Sequence, residues 1–211
     1  MIRYKFKLNG YLYSERNLYM KRKAYILVFD GLADWEAAHA LCEINKSDKF
    51  DVVTVGFSNE SVTTMGGFRI LPNVRLDAVN ADEAAIFILP GGDVWEEKSD
   101  ENLIALLHKL RAVSVPIAAI CGATLEIARA KLTGSIRHTS NSQDYLKTMV
   151  ADYIDEDFYV DELAVTDNNL ITASGLGSVE FAQEIIKQLE IYDEADTKVW
   201  FEMFKYGISP K

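Results

Sequence analysis

The sequence predicts an α/β domain, a mainly parallel sheet with helices on both faces. Three observations predict it. From residue 24 onward, short apolar runs of the buried-strand type alternate with amphipathic segments of helical period. The composition, 49% hydrophobic and 26% charged, is that of a globular chain able to bury a core. At one strand-to-helix junction, "IAAICGATLEIARAKLTG" (117–134), small residues surround a cysteine, as a tight elbow requires.

Each element follows in order. "AYILVF" (24–29) is a buried strand, and Asp30-Gly31 turns it into a helix over 33–44. Trp35, Ala38, Leu41 and Cys42 share one face of that helix, which predicts Cys42 in the core. "FDVVTVGF" (50–57) is a second strand, and 61–71 reads as a hairpin turning at Gly66-Gly67. "AAIFILPGG" (84–92) is a strand stopped by proline and two glycines. A helix over 100–113 follows, and Pro116 opens the strand leading to Cys121. Helices are predicted over 121–131 and 142–150, and two strands around an Asp-Asn-Asn turn over 163–173. Helices over 177–192 and 194–207 close the chain, the last ending at Gly207.

Charge sets the boundaries and excludes some partners. Residues 1–23 carry Arg3, Lys5, Lys7, Arg16, Lys21, Arg22 and Lys23 against Glu15 alone, although the net charge is -10. The acidic remainder repels phosphate backbones, so no nucleic-acid partner is expected. Residues 1–19 read as a loosely ordered N-terminal extension and 20–211 as one domain. No run reaches the roughly 18 apolar residues of a membrane span, so no membrane association is expected. Residues 1–19 show no secretory pattern, and two cysteines make no disulfide framework; both fit a cytoplasmic protein.

Cys121 is the candidate nucleophile. It lies at the carboxyl end of a strand, where α/β sheets bind ligands, and at the first turn of a helix. The free N–H groups and positive dipole end there favour a thiolate, pulling the pKa below about 8.5. Read by itself, Cys121 is equally a small buried hydrophobe. "LPGGD" (89–93) ends the neighbouring strand, and the N–H groups of Gly92 and Gly122 can converge on one oxygen as an oxyanion hole. Glu36 opens the first helix, where a carboxyl can meet the sulfur; buried beside a thiolate it stays protonated and donates the bond. By position alone, Glu36 is an ordinary first-turn acid facing the helix dipole.

Together "FDGLADWEAA", "ILPGGD", "PIAAICGAT" and "ITASGLGSVEFAQEII", in that order over residues 23 to 190, resemble the DJ-1/PfpI (ThiJ) superfamily of the class I glutamine-amidotransferase-like fold. The resemblance implies a flavodoxin-like three-layer sandwich, usually a homodimer, with Cys121 as nucleophile at its elbow. It implies Glu36 as the protonated partner of Cys121, with Gly92 and Gly122 bounding the oxyanion site. Activities in the superfamily include peptidase or amidase, glyoxalase and claimed deglycase, isocyanide hydration, chaperone-like holding and oxidative sensing, so membership does not choose the reaction.

Departures narrow the choice. No histidine follows His138, so a glutaminase of the Cys-His-Glu type is not expected, and Gly122 stands where protease-like members place a histidine. His138 in "RHTSNS" resembles the downstream histidine of glyoxalase-type members, with Thr139 where many have proline. A general base must come within about 3 Å or one bridging water. His39 and His108 read as structural, and "GLGSVE" (175–180) as a helix entry, because Glu180 stands where a dinucleotide fingerprint needs its third glycine. No metal-ligand spacing occurs, so no metal or other cofactor is expected. The expected function is cysteine-dependent chemistry on a small carbonyl or amide substrate, glyoxalase-like or hydrolytic. The alternative is an oxidative-stress sensor or chaperone-like protein that uses the same thiol without turnover.

Overall fold

A computed structural model describes residues 7–8, 11–12 and 21–208. The expected loose arm falls mostly outside these residues; its described part pairs β1 (Lys7–Leu8) with β2 (Tyr11–Leu12) antiparallel. The main chain then runs β3 (Arg22–Val28), α1 (Asp34–Lys46), β4 (Phe50–Gly56), β5 (Val62–Thr63), β6 (Arg69–Ile70), β7 (Val74–Arg75) and β8 (Ala84–Leu89). It continues α2 (Val94–Glu97), α3 (Glu101–Ala112), β9 (Ile117–Ile120), α4 (Thr124–Arg129), α5 (Gln143–Met149), β10 (Ala164–Asp167), β11 (Leu170–Ala173), α6 (Ser178–Gln188) and α7 (Glu194–Tyr206).

Seven strands form one sheet in the order β10-β11-β9-β8-β3-β4-β7. All pairs are parallel except β10 with β11, which turns at Asn168 and Asn169, both at positive φ (45° and 58°). Asparagine tolerates that left-handed turn better than other side-chain-bearing residues. Numbered by first appearance, the central order is 2-1-3-4-5, the flavodoxin-like arrangement. The chain reverses its direction of winding between β3 and β8, so a crevice opens past their carboxyl ends.

The strands alternate their side chains between two cores. Tyr25 and Leu27 of β3, with Phe87 and Leu89 of β8, face Leu103, Leu107 and Leu110 of α3 and Leu125 of α4. Ala24, Ile26, Ile86 and Ile88 face Ala37, Ala40 and Ile44 of α1 and Phe181, Ile185 and Ile186 of α6. A strand buried on both faces must be apolar at every position, as "AAIFIL" is. Helix starts are capped by Asp100, Ser142 and Asp193 side chains, and α7 ends at left-handed Gly207.

The apolar face expected for α1 is corrected. Trp35 is 50% exposed and Cys42 is exposed, while Glu36, Ala37, Ala40, Glu43 and Ile44 are buried. The helix packs on both the sheet and α6, so its alanines admit close approach and two acids go under with it. The Glu43 carboxylate is satisfied there by Lys46 and the Tyr192 hydroxyl. The sequence reading also missed β7 and α2, each too short to show a period. Among the described residues no helix is long and apolar enough to cross a membrane.

Phe181 is fully buried between α6 and the sheet. Phe181→Ala is expected to cost about 3–5 kcal/mol, read as a lowered urea midpoint with an unchanged slope.

Candidate active site

The junction after β9 is a sharp elbow. Ile120 is extended, and Cys121 takes φ +59°, a left-handed conformation that costs a residue with a β-carbon of order 1–3 kcal/mol. Residues Cys121–Ala123 then form a 3-10 turn leading into α4. Neighbours hold the bend in place. Thr124 Oγ1 donates to the Cys121 carbonyl at 2.6 Å and meets Ser140 Oγ at 2.7 Å. The buried Trp95 packs against Gly122, and its Nε1 donates to the Pro90 carbonyl at 2.9 Å.

Three loops deliver groups to the sulfur. Glu36 comes from the start of α1, buried, with its carboxyl against the Cys121 sulfur and accepting from the Gly91 N–H. A β-carbon at Gly91 would lie 2.6 Å from Glu36 Oε2 and 2.7 Å from Cys121 Cβ; one at Gly175, past β11, would lie 2.9 Å from the sulfur. Only glycine fits at either place. Asn141 completes the ring: its Oδ1 accepts from the Gly175 N–H at 2.9 Å, which turns its Nδ2 to donate to the sulfur at 3.5 Å.

Burial pushes the Glu36 carboxyl up to about 7, against the pull of the Gly91 N–H and the sulfur. Burial also pushes the Cys121 thiol up to about 11, and the Glu36 charge adds to this; the Asn141 amide and Gly122 N–H oppose it. The raised Glu36 agrees with the sequence reading. The expected low-pKa thiolate is corrected, because desolvation and a neighbouring carboxylate outweigh the amides at the turn. The two groups titrate as a pair, and the Coulombic part of the thiol's rise vanishes whenever Glu36 keeps its proton.

The structure does not bring His138 to the sulfur. His138 is buried, its Nδ1 bonding the Ile136 carbonyl at 2.7 Å and its Nε2 meeting the Tyr153 hydroxyl at 2.6 Å. A carbonyl only accepts, so Nδ1 carries the proton and Nε2 accepts from Tyr153. With both nitrogens occupied and burial lowering its pKa, His138 is a neutral loop anchor. Asn141, three residues on, occupies the place the sequence reading assigned to it.

Gly122 presents its N–H to the sulfur. Gly92 packs on the Phe29 ring and the Gly31 carbonyl, and no hydrogen bond among the described residues uses its N–H. The reading overlooked Gly91, Asn141 and Gly175; the last could have been suspected as the residue just past a parallel strand's carboxyl end. His39 meets Trp200 and Phe204 edge to face, with ring centroids 6.2 and 5.0 Å away, and His108 is exposed. Among the described residues no group of three or more His, Cys, Asp or Glu converges to hold a metal ion. A separate cleft of about 280 Å³ lies behind Phe29 and Trp95, lined also by Phe57, Val62 and Lys98 but not by Cys121.

The sequence pattern of the DJ-1/PfpI family matches residues 22–188. The chain is 37% identical to YoaZ of Bacillus subtilis, named an uncharacterized protease, over 87% of this chain and 91% of that protein. It is 30% identical to a deglycase of Thermococcus kodakarensis, over 66% of this chain and 85% of that one. A crystal structure of a ThiJ/PfpI family protein from Bacillus anthracis superposes with a TM-score of 0.84 at 34% identity, covering 90% of this chain and 92% of that chain.

Alkylation of Cys121 followed against pH, read on its own peptide by mass spectrometry, should show two steps, near 7 and near 11. Glu36→Gln should leave one step, below the wild-type upper one, because the repelling charge is gone. Asn141→Ala should move the upper step higher. His138→Gln should leave the profile in place and lower stability by about 1–3 kcal/mol in thermal unfolding, since Tyr153 and Ile136 lose their partner.

Proposed function

We propose that this chain, which belongs to the DJ-1/PfpI family, is a cysteine-dependent enzyme that works without a cofactor on small carbonyl or amide compounds. The observation that carries the reading is the Glu36 carboxyl set against the sulfur of a left-handed Cys121. A carboxyl with a pKa near 7 is well placed to take a thiol proton at neutral pH and return it later. It removes the need for a resting thiolate.

In the proposed reaction Glu36 accepts the Cys121 proton as sulfur attacks the carbonyl carbon. The S–C bond forms, the C=O π pair moves onto oxygen, and the N–H groups of Gly92 and Gly122 stabilise that oxygen. With an amide, the C–N bond breaks, nitrogen leaves with the proton held by Glu36, and water cleaves the resulting thioester to acid and free thiol. With a 2-oxoaldehyde, the aldehyde carbon of the hemithioacetal loses its C–H proton and the adjacent carbon gains one. The thioester of a 2-hydroxy acid results, which water releases. Methylglyoxal plus water thus becomes lactic acid with no external oxidant.

Names such as protease and deglycase among the relatives fit chemistry at a carbonyl of this kind. The same sulfur would serve an oxidation sensor, but burial and the Glu36 charge hold the thiol protonated, which disfavours spontaneous oxidation relative to attack assisted by the carboxyl.

Lactate release from methylglyoxal and ammonia release from small amides should fall by at least about 10³-fold in Cys121→Ala, with circular dichroism unchanged. Selective dioxidation of Cys121 by mild peroxide without turnover on either class would overturn the enzyme in favour of the sensor.

A further inference from the structure

The sequence "TLEIAR" (124–129) sets Glu126 and Arg129 three residues apart on one face of α4. Such a pair belongs on a solvated surface, yet the Glu126 side chain is fully buried and that of Arg129 is 18% exposed. Burying an ion pair costs more than burying apolar side chains of the same size, so packing alone does not call for it. Arg129 Nη1 donates to Glu126 Oε1 at 2.8 Å, and Ser99 Oγ donates to Glu126 Oε2 at 2.9 Å. The same Nη1 donates to the Trp95 carbonyl at 2.8 Å and lies 3.5 Å from that of Lys98. These carbonyls end α2, a four-residue helix too short to hold itself.

Trp95 carries this clamp to the reacting pair along two routes. Its side chain packs on Gly122, where a β-carbon would lie 3.1 Å from Trp95 Cδ1, and the Gly122 N–H meets the sulfur. Its Nε1 donates to the Pro90 carbonyl at 2.9 Å. That carbonyl and the Gly91 N–H are the two ends of one planar peptide, so the indole fixes the plane that aims Gly91 at Glu36. Arg129 itself acts electrostatically on Tyr145, which bonds Glu96, and on neither Cys121 nor Glu36. Its influence on the pair is mechanical.

We infer that Arg129, paired with the buried Glu126, is a positioning residue: through Trp95 it aims the Gly91 and Gly122 N–H groups at Glu36 and Cys121. The inference rests on the reading of Cys121 as nucleophile and adds a support to the same site. Both amides stabilise the charged forms, carboxylate and thiolate, so slackening the clamp favours the protonated forms of both.

The pH profile of Cys121 alkylation, with turnover of methylglyoxal beside it, tests the clamp. Arg129→Met should raise both steps of the profile by roughly 0.5–1 pH unit, the worth of a weakened hydrogen bond. It should lower kcat about tenfold or more with KM within about twofold, since Arg129 touches no reacting atom. Trp95→Phe keeps an aromatic ring on Gly122 but loses the Pro90 bond, and should raise the lower step alone. Arg129→Met also leaves Glu126 buried without its partner and so lowers stability. Glu126→Met with Arg129→Met removes that penalty; its thermal midpoint should recover toward wild type while both steps stay raised. Arg75→Met, in an exposed pair with Asp77 at the far edge of the sheet, should leave profile and turnover unchanged. A double variant with the wild-type profile overturns the inference while Cys121 remains a nucleophile. The profile is read without substrate, so it decides the inference whichever carbonyl compound is turned over. Failure of wild-type Cys121 to alkylate at any pH overturns the nucleophile itself, and this inference with it.

Discussion

A carboxyl and a thiol share one buried space, and much of the chain is arranged to keep them there. Burial raises the Glu36 pKa, and burial together with the Glu36 charge raises that of Cys121, so the pair is not held together as an ion pair would be. Left to relax, the loops would separate them and hydrate both. The structure prevents this from both sides. The left-handed Cys121 has its carbonyl tied to Thr124, and the Gly91 N–H holds the carboxyl. Backbone strain and burial of two acids are stability given up at this site, a pattern found where function outweighs stability.

The sheet makes that cost bearable. Glu36, Gly91 and Cys121 follow β3, β8 and β9, three adjacent parallel strands whose carboxyl ends lie side by side. Each strand is fixed by two neighbours and two core layers, so the loops begin from rigid points. Further bonds tighten the first loop. The Ala33 N–H donates to the Gly91 carbonyl at 3.0 Å, joining the loops after β3 and β8. The β5–β6 hairpin closes over the entry to α1, with Gly31 N–H to Thr63, Met65 N–H to Leu32 and Gly66 N–H to Asp34. A hairpin that adds nothing to the main sheet therefore positions Glu36.

The framework was legible because its signals are local. Apolar runs bounded by glycine and proline marked the strands, and small residues around Cys121 marked the elbow before any contact was known. The face of α1 was misread because packing on two sides buries acids alongside alanines, and a single apolar stripe does not describe that surface. His138 was misread for a different reason. A histidine downstream of the cysteine suits the chemistry, but which residue of "RHTSN" reaches the sulfur depends on how that loop curves. The curve is decided by Tyr153, Ile136 and the Gly175 N–H, groups distant in sequence or uninformative in type. Sequence spacing does not encode it.

An amide where an imidazole was expected changes what the site can tolerate. Asn141 can orient the sulfur and donate to it, but it cannot accept a proton. In the proposed reaction, proton traffic at the sulfur therefore falls to Glu36, whose usefulness depends on a pKa near neutrality. Any further negative charge brought into the site would raise that pKa and the thiol's together, leaving the proton on sulfur and the nucleophile quenched. An imidazolium would have absorbed such a charge; a carboxylic acid cannot. In the proposed reaction, reliance on the Glu36 carboxyl therefore favours electrophiles that bring no negative charge of their own.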